Sequence, residues 1–398
     1  MNKRKVFVII GANFGDEGKG LVTDFVVSKA RNPLVIRYNG GAQAGHTIVT
    51  PDGRRHVFSH FGSGTFLGAP TYLGPNFIVN PMAFLHEREL LAAQEITPIV
   101  YAHRLCRVTT PYDVILNQAR EQERGDKPHG SCGFGIFETV QRHKKIPLVF
   151  SDLYDDYTVN RRLHEIIGYA LGEAEKFDVD KDKTVALLTM SELRLQYLKD
   201  CSEMARCHMQ PIAETVGRYK DKSWQVVQDW DGDLVFEGAQ GLALDMKMGM
   251  EFPYLTPSHP GLYGHLSEFL ATLFNVELPL EIIYVTRTYL TRHGAGPLLG
   301  ECKPEEIVKE GVEDKTNLHN KFQGSLRYAS LNIEDLEFRI RWDLMSVPDP
   351  GVPLNPQIAL TCTDHVSEAM VADLIPRLPF KVKYISTGDT RQHVSVLN

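Results

Sequence analysis

Asp16, Glu17 and Lys19 stand in one glycine-rich loop, Gly11-Ala12-Asn13-Phe14-Gly15-Asp16-Glu17-Gly18-Lys19-Gly20. Gly15, Gly18 and Gly20 let a backbone approach an anion closely, Lys19 adds a point charge, and N–H groups at a helix start complete a phosphate cradle. The two acids are the unusual part. Carboxylates beside a phosphate repel it unless a metal or a proton transfer makes use of them. The loop is not a Walker A motif, because Asn13 stands where that motif has its first glycine and Gly20 where it has Ser or Thr. Alone, it also fits an acidic surface turn that caps a helix.

A second loop, Asn39-Gly40-Gly41-Ala42-Gln43-Ala44-Gly45-His46-Thr47, carries one histidine between a glycine and a hydroxyl. An Asp and a His at two strand ends supply a base and an acid of different pKa. The elements that must position them follow from the apolar pattern. Val6 to Ile10 reads as a buried strand feeding the first loop, and Leu21 to Val27 resumes an apolar pattern that suits a helix. Further strand-like runs fall at Leu34 to Tyr38, Asn76 to Val79, Thr97 to Tyr101, Asp233 to Phe236, Glu281 to Val285, Gln357 to Leu360 and Lys381 to Ile385. Helix-like stretches lie between many of them, at Met82 to Gln94, Asp113 to Arg124, Leu163 to Lys176 and His265 to Phe274. This alternation predicts an α/β fold with a largely parallel central sheet flanked by helices. Such sheets bind ligands at the carboxyl ends of their strands. The charged, helical stretch from about Tyr154 to Trp230 reads as an insertion, and no linker separates it, so one elaborated domain over 1–398 is expected.

Bulk properties narrow the function. The chain has 398 residues, 43% hydrophobic and 23% charged, as expected of a globular enzyme. A net charge of −7 gives no reason to expect nucleic acid as a partner and leaves small nucleotides open. No apolar run approaches the roughly 18 residues of a membrane span, and the run from Val6 is too short for a secretory signal. Six cysteines without C-x-x-C pairs imply neither a zinc site nor a disulfide framework. Cys201, Cys207 and His208, though close in sequence, are read as packing residues. The cytoplasm is the default compartment.

Taken together, the motifs resemble those of adenylosuccinate synthetases. The family's Gly-Asp-Glu-Gly-Lys-Gly is matched at Gly15 to Gly20, and its Gly-Gly-x-x-Ala-Gly-His-Thr at Gly40, Gly41, Ala44, Gly45, His46 and Thr47. Phe236 to Gly241 and Phe252 to Thr256 resemble its Phe-Glu-Gly-Ala-Gln-Gly and Tyr-Pro-Tyr-Val-Thr segments. Thr291-Arg292-His293-Gly294-Ala295-Gly296-Pro297 is similar to its Thr-Arg-Val-Gly-Ala-Gly-Pro, with histidine in place of valine. Leu360 to Asp364 and Ser386 to Gly388 look like its two guanine-reading segments.

The resemblance implies the family's P-loop-like fold and a GTP- and Mg²⁺-dependent ligase acting through a homodimer. The γ-phosphoryl group passes to O6 of IMP, and the amine of aspartate then displaces phosphate at C6. Asp16 would remove the N1 proton and hold Mg²⁺ together with the Gly45 carbonyl. His46 would donate to the transferring phosphoryl group, and Lys19 would assist it. Gly15, Gly18, Lys19, Gly20 and Thr47 would cradle the donor phosphates, while Asp364, Ser386 and Gly388 would read its base. The purine monophosphate would lie against Ser131, Cys132, Gln240 and Thr256, with Arg142 the candidate for an arginine contributed across the dimer.

Departures from the family pattern concentrate at substrate positions. Ser131 and Cys132 replace two threonines, Phe134 an arginine, and Cys362 a lysine that packs over guanine. Of the family's arginine-rich aspartate loop only Arg327 survives in Asn320-Lys321-Phe322-Gln323-Gly324-Ser325-Leu326-Arg327-Tyr328. Bidentate arginine geometry is not reproduced by lysine, so Lys321, Arg287 and Arg292 are the candidates for compensation. Two alternatives therefore stand beside the leading reading. One is a paralogue using another purine nucleotide such as dGMP, ATP as donor, or another amine. The other is a nucleotide-binding regulatory protein without ligase activity.

Overall fold

The computed structural model describes residues 3–125, 129–208, 224–248, 252–263, 265–271, 273, 275–312, 314, 324–347 and 351–397. Asn320 to Gln323, including Lys321, and the Phe274 end of the expected helix lie outside them, as do the side chains of Cys207 and His208.

The main sheet has nine strands. In chain order these are β1 (Val6–Gly11), β2 (Leu34–Arg37), β3 (Thr71–Leu73), β4 (Val100–Ala102), β5 (Leu234–Gly241), β6 (Leu280–Arg287), β7 (Leu354–Thr361), β8 (Val382–Ser386) and β9 (Val394–Val396). Their spatial order is β9-β8-β7-β6-β1-β5-β2-β3-β4, and every pair is parallel except β8 with β9. The expected parallel α/β architecture is therefore present. β1 lies between β5 and β6, so its following loop is flanked by the loops of strands distant in sequence.

The unbroken apolar run of β1 follows from burial on both faces. Val6, Val8 and Ile10 join one core cluster with Phe269, Leu336 and Ile340 from helices His265–Ala271 and Ile333–Met345. Ile9 faces the other side and packs with Val22, Phe25 and Val26 of helix α1 (Lys19–Lys29). Side-chain alternation along a strand makes this division unavoidable. Helices Asp156–Ala174, Lys181–Leu188 and Ser191–His208 contribute to a third apolar cluster, built also from Phe58, Phe61, Phe84 and Leu116.

Two expectations need correction. The run Asn76 to Val79 supplies no strand of the main sheet; Ile78–Val79 pairs with Arg107–Val108 in a separate ribbon. The sheet strand of that region is Thr71–Leu73, too short to show a pattern. The helix expected from Asp113 starts earlier, at Pro111, where Thr110 and Asp113 form a capping box.

Candidate active site

The first loop sorts its two acids into different roles. Glu17 turns inward: its carboxylate accepts from the backbone N–H of Asn13 at 3.0 Å and of Gly15 at 2.7 Å. It also pairs with Lys19 at 3.2 Å, and Lys19 Nζ donates to the Gly15 carbonyl at 2.7 Å. Both charges are buried. Lys19, expected to face phosphate, thus braces its own loop in this conformation. A Cβ on Gly11 would stand 2.6 Å from Glu17 Oε2 and 2.9 Å from Lys19 Nζ, so the brace requires glycine there. Gly18 caps α1 with φ 88°, a left-handed conformation natural to glycine.

Asp16 is half-buried and its carboxyl takes no part in that network. Burial raises its pKa above the ordinary carboxylate value, against the opposing pull of His293 and Arg287. Arg287, at the end of β6, anchors the Asp16 backbone by donating from Nε to its carbonyl and pairs with Asp314 at 3.1 Å.

His46 opens the hairpin His46–Val49 with Arg55–Phe58 and is pressed against α1; a Cβ on Gly20 would lie 3.2 Å from that of His46. Its Nδ1 lies 2.6 Å from Glu237 Oε1 on β5. Glu237 also accepts from the Ser63 N–H at 3.0 Å and from the Ser63 hydroxyl, and lies 3.9 Å from Arg37 Nε. Burial alone would raise the Glu237 pKa, but His46, Arg37 and Ser63 outweigh it and bring it to about 2. An ionised carboxylate only accepts, so Nδ1 carries the proton and Nε2 is left to face the site. Burial holds the imidazole below its ordinary value despite Glu237.

A cavity of about 280 Å³ adjoins these loops, lined by Ser131, Cys132, Gln240, Tyr254, Thr256 and His293 among others. Gln240 follows Glu237 on β5 in a left-handed conformation, φ 63°. Its Oε1 accepts from Thr256 Oγ1 at 2.8 Å and from the Ser258 hydroxyl, which leaves the amide NH₂ as its donor to the cavity. The first loop packs directly on this residue: a Cβ on Gly15 would be 3.1 Å from Gln240 Cα.

On the opposite side, Thr361 at the end of β7 donates to the Glu17 carbonyl at 2.7 Å and packs beside Gly18. Thr363 donates to the Ser386 carbonyl at 2.7 Å, and Ser386 Oγ donates to the Gly388 carbonyl at 2.6 Å. Asp364 is thereby brought beside Ser386 and Gly388, with its side chain exposed. Cys362 sits among them with φ 55°. Burial would raise its thiol pKa, but Arg287 and His365 hold it below the ordinary value.

Among the described residues no three His, Cys, Asp or Glu side chains cluster as a cage. Beside the Gly45 carbonyl and His46, the Thr47 hydroxyl is buried without a hydrogen-bond partner. One outlying carboxylate, a carbonyl and a hydroxyl suit Mg²⁺, which takes its other oxygens from phosphates and water.

These features can be set beside known proteins. Residues 8–321 match the adenylosuccinate synthetase family model. The chain belongs to the adenylosuccinate synthetase family. It is 28% identical to an adenylosuccinate synthetase of Acaryochloris marina over 77% of this chain and 65% of the relative. It is 31% identical to one of Teredinibacter turnerae over 78% and 68% respectively. The matched region thus spans about two thirds of these relatives' length. Among solved structures, the fold resembles fully ligated adenylosuccinate synthetase from Plasmodium falciparum, with TM-score 0.70, 18% identity and 99% and 100% of the two chains covered. It also resembles the cyanophage S-2L succinoaminodeoxyadenylate synthetase bound to dGMP and dATP, with TM-score 0.60, 16% identity and 99% and 96% coverage.

Two residues that the synthetase resemblance assigned to substrate are committed elsewhere. Arg142 is fully buried in a two-pronged pair with Asp113, at 3.1 and 2.9 Å, and donates to the Val108 and Ile146 carbonyls. Within this chain the guanidinium is enclosed by Asp113 and the two carbonyls. Arg327 pairs with Glu301 and donates to the carbonyls of Gly294 at 3.2 Å and Gly296 at 2.8 Å. It braces the loop carrying His293. Arg292, a candidate for compensation, is buried, donates to the Pro297 carbonyl and lies 4.7 Å over the Phe14 ring.

Reading the sequence missed Glu237, Gln43 and His293 as individual site residues. Glu237 and His293 stand inside segments that match the family pattern. Both amide atoms of Gln43 are buried without partners and the residue lines the cavity. Its signal was its place in the His46 loop.

Proposed function

We propose that this protein is a ligase joining an amine to C6 of a purine nucleoside monophosphate, with L-aspartate, IMP and GTP as the leading substrates, in the manner of its family. The observation that carries the reading is the convergence of Asp16, the His46–Glu237 pair and Gln240 at the carboxyl ends of neighbouring strands, beside a cavity for the acceptor.

Asp16, with its raised pKa, is a suitable base for the purine N1 proton. As that proton leaves, O6 bonds to the γ-phosphorus, the bond to the bridging oxygen breaks, and the nucleoside diphosphate departs. His46, held on Glu237, aims Nε2 at the transferring group; protonated, it donates there. Gln240 donates its amide N–H to the acceptor. The amine then bonds to C6 as the C6–O6 bond breaks, releasing phosphate. Asp16 and the Gly45 carbonyl would hold Mg²⁺, which supplies charge neutralisation between phosphates. Positioning and electrostatics do most of this work.

A second reading keeps this chemistry and changes the substrates. It is favoured by the loss of the arginine-rich loop, of which only Arg327 survives, and by Cys362 at the donor-base position. The experiment is incubation with Mg²⁺, GTP or ATP, and IMP or dGMP, with and without aspartate, following phosphate release and product mass. A succinylated product from IMP supports the leading reading, and one from dGMP the second. Phosphate release that needs a purine monophosphate but ignores aspartate indicates another amine. Absence of turnover in every combination overturns both.

A further inference from the structure

We propose that His293 is a specificity-determining residue that reads the C2 position of the acceptor purine, selecting a 2-amino (guanine-type) monophosphate over hypoxanthine. The inference rests on the proposed ligase chemistry and, within it, favours the second reading, in which the acceptor is a purine monophosphate other than IMP.

The geometry begins with an orphaned atom. His293 lines the acceptor cavity, and its Nδ1 is buried without a hydrogen-bond partner. Buried polar atoms are nearly always paired, so an orphan in a cavity wall calls for a ligand. The valine that resembling sequences carry here has no such demand. The loop that follows the ring is also firmly placed. Arg327 binds the carbonyls of Gly294 and Gly296, and Arg292 binds that of Pro297. Gly130 packs against the same loop, where a Cβ would stand 2.6 Å from the Ala295 nitrogen.

The position along the base follows from the neighbours. Arg287 holds the Asp16 carbonyl and leads through Thr288 into strand Tyr289–Arg292, which delivers His293 to the same side of the site as Asp16. His293 shares the cavity lining with Gln240, on whose Cα the Asp16 loop packs through Gly15. A base acting at N1 has the C6 oxygen on one side and C2 on the other. His46, aimed at the phosphoryl group, and Gln240 occupy the C6 side, which leaves C2 for His293. In hypoxanthine C2 carries only a C–H and would leave Nδ1 unpaired. With the neutral imidazole's proton on Nε2, Nδ1 is an acceptor, and an exocyclic amine at C2 donates to it.

The test measures binding by calorimetry, without phosphoryl donor, and kcat/KM with donor and amine, for IMP and for GMP and dGMP. Wild type is expected to favour the 2-amino nucleotides by at least about ten-fold, the scale of one neutral hydrogen bond plus relief of the orphan. His293→Val should erase most of that ratio by weakening guanylate binding, and His293→Asn, which keeps an acceptor, should retain part of it. A wild-type preference for IMP, or an unchanged ratio in a folded His293→Val protein, overturns the inference and leaves the ligase reading standing. If no purine monophosphate binds, the ligase reading itself fails.

Discussion

Nδ1 of His46 lies 2.6 Å from Oε1 of Glu237, and the two residues come from different strands, 191 positions apart. The carboxylate below the ring selects its tautomer and supports a positive charge when Nε2 takes a proton, the arrangement that serine hydrolases use for their histidine. Arg37 and Ser63 keep Glu237 ionised.

Glu237→Gln should therefore lower turnover by about 10²- to 10⁴-fold, since an amide no longer enforces the tautomer. Because the Arg37 charge then loses its carboxylate, unfolding free energy should fall as well, by about 3–5 kcal/mol. His46→Asn should reduce turnover with a smaller loss of stability. Paired denaturation and steady-state measurements separate the two effects; a wild-type rate for His46→Asn would remove this residue from the reaction.

Asp16→Asn should suppress turnover by about 10²- to 10⁴-fold, the usual range for a general base, with donor binding largely intact. Since burial raises the native pKa of Asp16, the acid limb of kcat/KM should lie above the ordinary aspartate range. Activity rises with pH as the carboxyl loses its proton, and the limb vanishes in the variant. Equal loss of donor binding and turnover would make the carboxylate mainly a metal anchor or structural group and remove its role as base.

Arg142→Ala should act on stability. Removing one partner of the buried pair leaves Asp113 uncompensated, at about 3–5 kcal/mol, and frees the Val108 and Ile146 carbonyls. The folded fraction should keep its acceptor KM. A selective KM increase in a variant of unchanged stability would restore Arg142 to the substrate site.

Asp343 offers a pH test away from the site. It is buried, accepts from the Leu262 N–H and the Tyr284 hydroxyl at 2.8 Å each, and burial raises its pKa to about 7. Between about pH 4 and pH 7 the native state holds a proton that the unfolded chain has lost, so stability falls as pH rises. The total is about 4 kcal/mol, at about 1.4 kcal/mol per unit. Asp343→Asn should flatten the profile across that window, as read by urea denaturation at several pH values.

Much of this was legible in the residues themselves. The apolar run of β1 reads as a buried strand, and the apolar pattern from Leu21 to Val27 suits the helix that follows the loop. The motifs around Asp16, His46, Gln240 and Asp364 placed the chain in its family because each combines glycines with a chemically scarce residue at fixed spacing. Local pattern also placed these loops after strands, hence at one end of a parallel sheet. Tertiary structure alone decided which charges remain available. Spacing could not separate Asp16 from Glu17, for the difference lies in the Asn13 and Gly15 N–H groups that fold around Glu17. Nor could it show that Arg142 and Arg327 are spent on Asp113 and Glu301, or that Glu237 lies beneath His46. A charge has the same letter whether it faces a substrate or a buried counterion, and only the packing of distant segments sets its partner.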